Sequence, residues 1–233
     1  LTLVEGAIMI ALATALSFVR VFKLPWGGSI TLLSMLHIWI FSIKRGLKAG
    51  MAASYVFSLV QFVQGIMDGL FGWGLTPGML IACIFLDYLL AFTVLGIAGI
   101  FRKQKIAGWI AGVVIGSVLR FLVHFTSGIV IWHSFGELWS GFFTENEVLY
   151  SFLYNGAYML PEMIFTLIGA IALFTIPQTK KYILGLVGLT LAIAGCSSSS
   201  DEEKVPNYAE GDSAQLETRT ATLWRSLAKD GVA

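Results

Sequence analysis

Asp87 is the residue whose position most demands a reason. It lies well inside an apolar run, Phe85-Leu86-Asp87-Tyr88-Leu89. A charged side chain at the centre of a bilayer costs about 2.5–3.5 kcal/mol on insertion scales, so it persists where it is paired or used. Two readings stay open: a seat for a cationic ligand, which an acid in a low-dielectric cleft attracts strongly, or an ion pair with Arg120. Arg120, His124 and Trp132 follow one another at spacings of four and eight residues, near one face of a helix. An imidazole and an indole on one face suit a flat heteroaromatic ligand, and a cation over an indole gains about 0.5–2 kcal/mol. Each also has a plainer reading, as an interfacial belt tryptophan and as a histidine bonded within the bundle. Tyr150 and Asn155 roughly share a face, and Asn155 is costly in a span unless hydrogen-bonded. Pro161-Glu162 predicts a kink with a buried acid, bonded to a neighbouring helix.

Other chemistries lack their parts. There is no G-x-x-x-x-G-K-[ST] loop for ATP, no H-E-x-x-H and no G-x-S-x-G. His37, His124 and His133 lack metal-ligand spacing, so neither a metal nor another cofactor is expected. Cys83 and Cys196 sit in unlike segments and make no disulfide framework. An intramembrane enzyme using Asp87 and Glu162 as acid and base is a rival reading, weakened by the missing nucleophile. The net charge of +1 gives no basic face for nucleic acid.

Lipid-facing elements must position these residues. Hydrophobic residues make up 57% of the 233 and charged residues 12%, against about a quarter charged in soluble domains. Mean hydropathy is +0.81. Runs near 3–22, 29–43, 46–66, 78–101, 107–132 and 148–176 approach the length of about 20 residues that a spanning helix needs. The expected fold is therefore all-α: an integral membrane bundle of about six helices in a bacterial cell membrane, with lipid as its solvent. The chain opens on Leu1, and no cleavable leader is expected before the first run. The second run is short, so Gly27-Gly28-Ser29 is expected to be irregular backbone facing a cavity. Lys44, Arg45 and Lys48, then Arg102, Lys103 and Lys105, then Lys180 and Lys181 mark cytoplasmic loops. Asp68, Glu137, Glu145 and Glu147 fall in the intervening loops, so both ends of the bundle are expected inside. Arg20 and Lys23 are exceptions to that pattern. Ala7, Ala11 and Ala15 form a small-residue stripe that permits close helix approach, within the bundle or to a partner.

Composition changes after Pro177. The bundle is expected over residues 1–178. Residues 179–196 resemble a bacterial lipoprotein signal: Lys180-Lys181, a short apolar run, then Ala194-Gly195-Cys196. Cys196 is then a lipidation candidate, and the polar remainder, 197–233, a largely disordered extracytoplasmic tail. A natural fusion, a joined reading frame, and a seventh short helix with a polar tail are the alternatives.

Several stretches in register resemble the thiamine-specific S components of energy-coupling factor transporters. They are Lys44-Arg45-Gly46-Leu47-Lys48-Ala49-Gly50, Leu86-Asp87-Tyr88-Leu89-Leu90-Ala91 running into Leu95-Gly96-Ile97-Ala98-Gly99, His124-Phe125 through Gly128 to Trp132, and Tyr150-Ser151 through Asn155-Gly156. The resemblance covers about three-quarters of the chain. It implies a six-helix bundle with cytoplasmic termini that captures thiamine outside, for uptake driven by a membrane coupling subunit and two ATPase subunits. It implies that Asp87 stands for the family's acidic ligand residue, which is Glu in some members. Tyr88, His124, Trp132, Tyr150 and Asn155 match pocket positions, Trp26 a lid tryptophan, and the alanine stripe the surface that docks on the coupling subunit. The alternative ligand is another heterocyclic vitamin or precursor, such as a hydroxymethylpyrimidine.

Overall fold

A computed structural model of the protein describes residues 2–24, 28–133, 136–139 and 141–185. Trp26, Cys196 and the polar tail lie outside the described residues. The described chain is mostly helical. Helix α1 spans Thr2–Ser17, α2 Ser34–Arg45, α3 Leu47–Met67, α4 Pro77–Lys103, α5 Ile106–Trp132, α6 Glu147–Thr175 and α7 Pro177–Ile183. Four of them, α3 to α6, are long and apolar enough to cross a membrane. Two antiparallel hairpins interrupt the helices: β1 (Arg20–Lys23) with β2 (Ser29–Thr31), and β3 (Gly136–Trp139) with β4 (Phe142–Thr144).

The first two apolar runs are shorter than their hydropathy predicts. Residues 20–23 and 29–31 are not helical: Arg20 pairs with Thr31 and Phe22 with Ile30 across the first hairpin. The reason lies in charge and branching. Arg20 and Lys23 reach out to Asp68 at the end of α3, and Ile30 and Thr31 are β-branched residues that fit a strand. Leu33, in left-handed geometry at φ 56°, turns the chain into α2.

Helix α2 is 12 residues long, and ten of them are buried. It touches every other helix of the bundle. Protein rather than lipid surrounds it, which is why a helix carrying Ser34, His37 and Ser42 survives there. Around it lies a core of Trp39, Phe41, Phe57, Leu95, Trp109 and Phe174. At one end of the bundle Glu5 of α1 is buried between Lys44 and Arg45 of α2, with Lys44 Nζ 3.2 Å and Arg45 Nε 2.7 Å away. The same Lys44 ammonium sits 3.4 Å above the Tyr182 ring of α7, an arrangement that satisfies a buried cation by both charge and π face. Lys180 and Lys181 thus fall in a described helix whose Tyr182 and Ile183 belong to the core.

Helices α3 and α4 meet backbone to backbone. A Cβ on Gly96 would lie 2.6 Å from the Met51 backbone, and one on Gly99 would lie 2.5 Å from Gly46. Close approach of this kind replaces hydrophobic attraction as the source of helix association in lipid. Gly96→Ala should therefore overpack the seam at a cost of about 1–3 kcal/mol. The expected result is a lowered thermal midpoint of the detergent-solubilised protein, and an unchanged midpoint would mean the seam opens freely.

Candidate ligand-binding site

The site begins with irregularities in two long helices. Helix α4 starts at Thr76, whose hydroxyl accepts from the Met79 amide at 3.4 Å, with Pro77 next. It is α-helical to Cys83, then widens to π-type geometry over Ile84–Leu90. Helix α5 widens in the same way over Gly128–Trp132. Such bulges are rare and recur at functional sites. Here one carries Asp87 and Tyr88 and the other carries Trp132.

The Asp87 side chain, 15% exposed, collects four contacts. Its Oδ2 accepts from Ser127 Oγ at 2.7 Å, Trp132 Nε1 at 3.2 Å and Cys83 Sγ at 3.3 Å. Its Oδ1 lies 3.1 Å from His124 Nδ1. A carboxylate only accepts, so the His124 proton belongs on Nδ1. Its Nε2 is buried without a hydrogen-bond partner among the described residues. No Lys or Arg pairs with Asp87 among the described residues. Arg120 instead bonds Glu162, NH1 to Oε2 at 2.7 Å, and its guanidinium lies 4.7 Å from the Phe92 ring centroid. The alternative pairing of Asp87 with Arg120 is thereby corrected: Arg120 turns toward α6, where the second buried acid stands. Glu162 Oε1 also accepts from Thr31, from the amide at 3.2 Å and the hydroxyl at 2.8 Å. The acid bonded to a neighbouring helix, expected after Pro161, is this one.

Asp87, Tyr88, His124, Trp132, Tyr150 and Asn155 all line one cavity of ≈ 150 Å³. Asn155 is held in place: its amide donates to Ser151 O at 2.9 Å, and its Oδ1 accepts from Tyr158 OH at 3.0 Å. Spacing alone leaves further wall residues unassigned, among them Tyr154, Tyr158 and Trp73. Tyr154 and Tyr158 continue from Tyr150 at four-residue intervals, a helical ladder readable in the sequence; Tyr150 and Tyr154 stack with ring centroids 6.2 Å apart. Ser127 lies one turn beyond His124. Trp73 meets Trp132 edge to face at 5.5 Å and carried no signal, because it comes from a loop far away in sequence. Gly28 and Ser29 line the cavity too, Ser29 as the first residue of strand β2 rather than as irregular backbone, while Gly27 lies outside the described residues.

The β1–β2 hairpin closes the mouth. Arg20 NH2 lies 2.7 Å and Lys23 Nζ 2.9 Å from Asp68, and Arg20 and Asp68 are themselves cavity walls. The two cations that broke the charge pattern are therefore both paired with the one acid beside them. Partial burial of Asp68 opposes its charge, but hydrogen bonds from Arg20 and Lys23 outweigh it and hold its carboxyl below the usual aspartate range. Among the described residues no group of three His, Cys, Asp or Glu could hold a metal. What the arrangement offers is an acid with no Lys or Arg partner among the described residues, an unpartnered imidazole nitrogen and aromatic walls, which is equipment for binding.

A family model described as thiamine transporter protein (Thia_YuaJ) matches residues 3–183. The chain belongs to this family of thiamine transporters. Thiamine transporter ThiT of Bacillus subtilis (strain 168) is 32% identical over 194 residues, which are 77% of this chain and 93% of that protein. ThiT of Lacticaseibacillus paracasei is 26% identical over 195 residues, 76% of this chain and 88% of that one. A solved structure of ThiT from Listeria monocytogenes superposes with a TM-score of 0.59 at 27% identity, covering 76% of this chain and 96% of that one. These relatives are named for transport, so this is a multi-pass membrane transport protein and not an enzyme. The match runs to residue 183 and so takes in α7.

The latch at the mouth has a checkable pH dependence. A carboxyl held low in the folded state contributes stability above its unfolded value and loses it as pH falls through the folded one. Amide protection factors in residues 20–24 and 28–31, corrected for the intrinsic pH dependence of exchange, should be unchanged from about pH 8 to about pH 5 and fall in stronger acid. Asp68→Asn should lower them already at neutral pH. Equal exchange in both proteins would mean that packing alone holds the hairpin.

Proposed function

We propose that this chain is the substrate-binding membrane subunit of an energy-coupling factor importer, capturing thiamine from outside for ATP-driven uptake by partner subunits. The observation that carries the reading is the Asp87 carboxylate, seated among aromatic walls with hydrogen-bond donors and, among the described residues, no Lys or Arg partner. Thiamine brings a permanent positive charge and a flat aminopyrimidine. Asp87 offsets the charge, His124 and Asn155 offer polar contacts, and Trp132, Tyr88 and Tyr150 supply ring faces. Trp26, outside the described residues, is proposed as a lid over the pocket. The bundle crosses the membrane six times, with α1 and the buried α2 as the two shorter passes and both ends in the cytoplasm. Residues 1–178 hold the binding unit, 179–196 the lipoprotein-like stretch and 197–233 an extracytoplasmic tail.

Ala7, Ala11 and Ala15 are all exposed on α1. That supports their use as a seam for a helix of the membrane coupling subunit, which in turn carries two ATPase subunits.

Titration of the purified protein with thiamine, without ATP, should quench tryptophan fluorescence to saturation. Asp87→Asn keeps the shape and removes the charge, and losing one partner of a buried charge pair costs about 2–5 kcal/mol. That is about 30-fold or more in Kd. Equal binding by both proteins, or saturation by a hydroxymethylpyrimidine but not by thiamine, would overturn the assignment. Ala11→Trp with Ala15→Trp should leave that binding intact while uptake into cells fails. Normal uptake would remove the stripe as a docking seam.

A further inference from the structure

We propose that the groove between α5 and α6 is a binding site for a phospholipid acyl chain. A second cavity, of ≈ 220 Å³, lies between α5 and α6 over Met35 and Trp39 of α2. Its rim is apolar and exposed: Val118 is 44%, Phe152 53% and Leu160 54% exposed. Its floor is buried, with Met35 at 4%, Trp39 at 0% and Met159 at 6%. A concave, apolar, methionine-lined surface of this kind adapts to irregular hydrocarbon.

Depth decides what fills it. The groove is built from residues 117–121 of α5 and 152–163 of α6. Both segments include the middle of helices long enough to cross the membrane, Ile106–Trp132 and Glu147–Thr175. At that depth the surrounding solvent is acyl chain, and lipid head groups lie near the helix ends. The floor carries no uncompensated charge, because Arg120 and Glu162 bond each other, and Ser117 donates to Val113 O at 2.9 Å; Arg120 Nε and Trp39 Nε1 are its two buried polar atoms without a partner among the described residues. An empty groove would leave its lining without dispersion partners on one side. A chain lying in it supplies them.

The site has a structural consequence. Met35, Arg120 and Glu162 line both this groove and the ligand pocket, so they form the wall between the two. The acyl chain packs against the back of the Arg120–Glu162 pair, whose front holds Thr31 of the mouth hairpin.

Gly156 supplies the test, because a Cβ there would meet no atom within 4 Å. The full chain is reconstituted in phosphatidylcholine vesicles containing a phosphatidylcholine with a diazirine on its acyl chain. After illumination, labelled residues are mapped by mass spectrometry. The expected result is label on floor residues Met35 and Met159 as well as on rim residues Phe152 and Leu160. Gly156→Phe fills the groove, and floor label should then fall several-fold while rim label stays. Val118→Trp closes the groove from α5 and should act alike, which covers the case of a variant that does not fold. Labelled rim with unlabelled floor in the wild type would overturn the proposal, as would floor label unchanged in the folded variants. Absence of label from rim and floor together would also overturn it and place a protein partner on this face. The readout involves no ligand, so it stands or falls apart from the thiamine assignment.

Discussion

A guanidinium and a carboxylate 2.7 Å apart, in the middle of the bundle, organise most of what surrounds them. An unpaired charge at either Arg120 or Glu162 would be costly at that depth. Together they tie α5 to α6, and the spare lone pairs of Glu162 reach to Thr31, fixing the foot of the hairpin that closes the pocket. Removing either partner of such a pair leaves an uncompensated buried charge, which is far costlier than never having had the pair. The pair therefore constrains the positions of three separate chain segments at once.

Pairing Arg120 with Glu162 also decides what Asp87 can do. Were the cation turned toward Asp87, the pocket would contain a neutralised ion pair and little reason to attract a charged ligand. With Arg120 spent elsewhere, Asp87 is held by a serine, an indole, an imidazole and a thiol. These donors orient the carboxylate and make its burial tolerable without cancelling its charge. Two acids in one bundle thus take opposite roles, one cementing helices and one facing the cavity, through a difference in partners alone.

Packing around α2 follows from the same economy of polar groups. A helix encased by six others needs no lipid-facing surface, so it is free to be short and to end in Lys44 and Arg45. Those charges find Glu5 and the Tyr182 ring, which binds α1, α2 and α7 at one end of the bundle. At the other end Arg20 and Lys23 find Asp68. Each cluster ties elements together while removing the cost of its own charges.

Much of this was legible in the residues themselves. Long apolar runs announce α3 to α6, because hydrocarbon thickness sets a minimum length that hydropathy reports directly. The spacing of Arg120, His124 and Trp132 announces a shared face, because helical period is local geometry. A family resemblance follows from the same motifs taken in register. What residues in isolation could not decide is which charges meet. Asp87 had two candidate fates, and Arg120 lies more than thirty residues from both Asp87 and Glu162, so only the packing of α4, α5 and α6 chose its partner. The hairpin at residues 20–31 was hidden for the same reason: its hydropathy continues that of α1, and the acid that latches it arrives at the end of α3. Local sequence determines helix length and face, since those depend on neighbours along the chain. Tertiary structure decides partners, since the interior of a bilayer protein offers each buried charge only the groups that the folded helices bring to it.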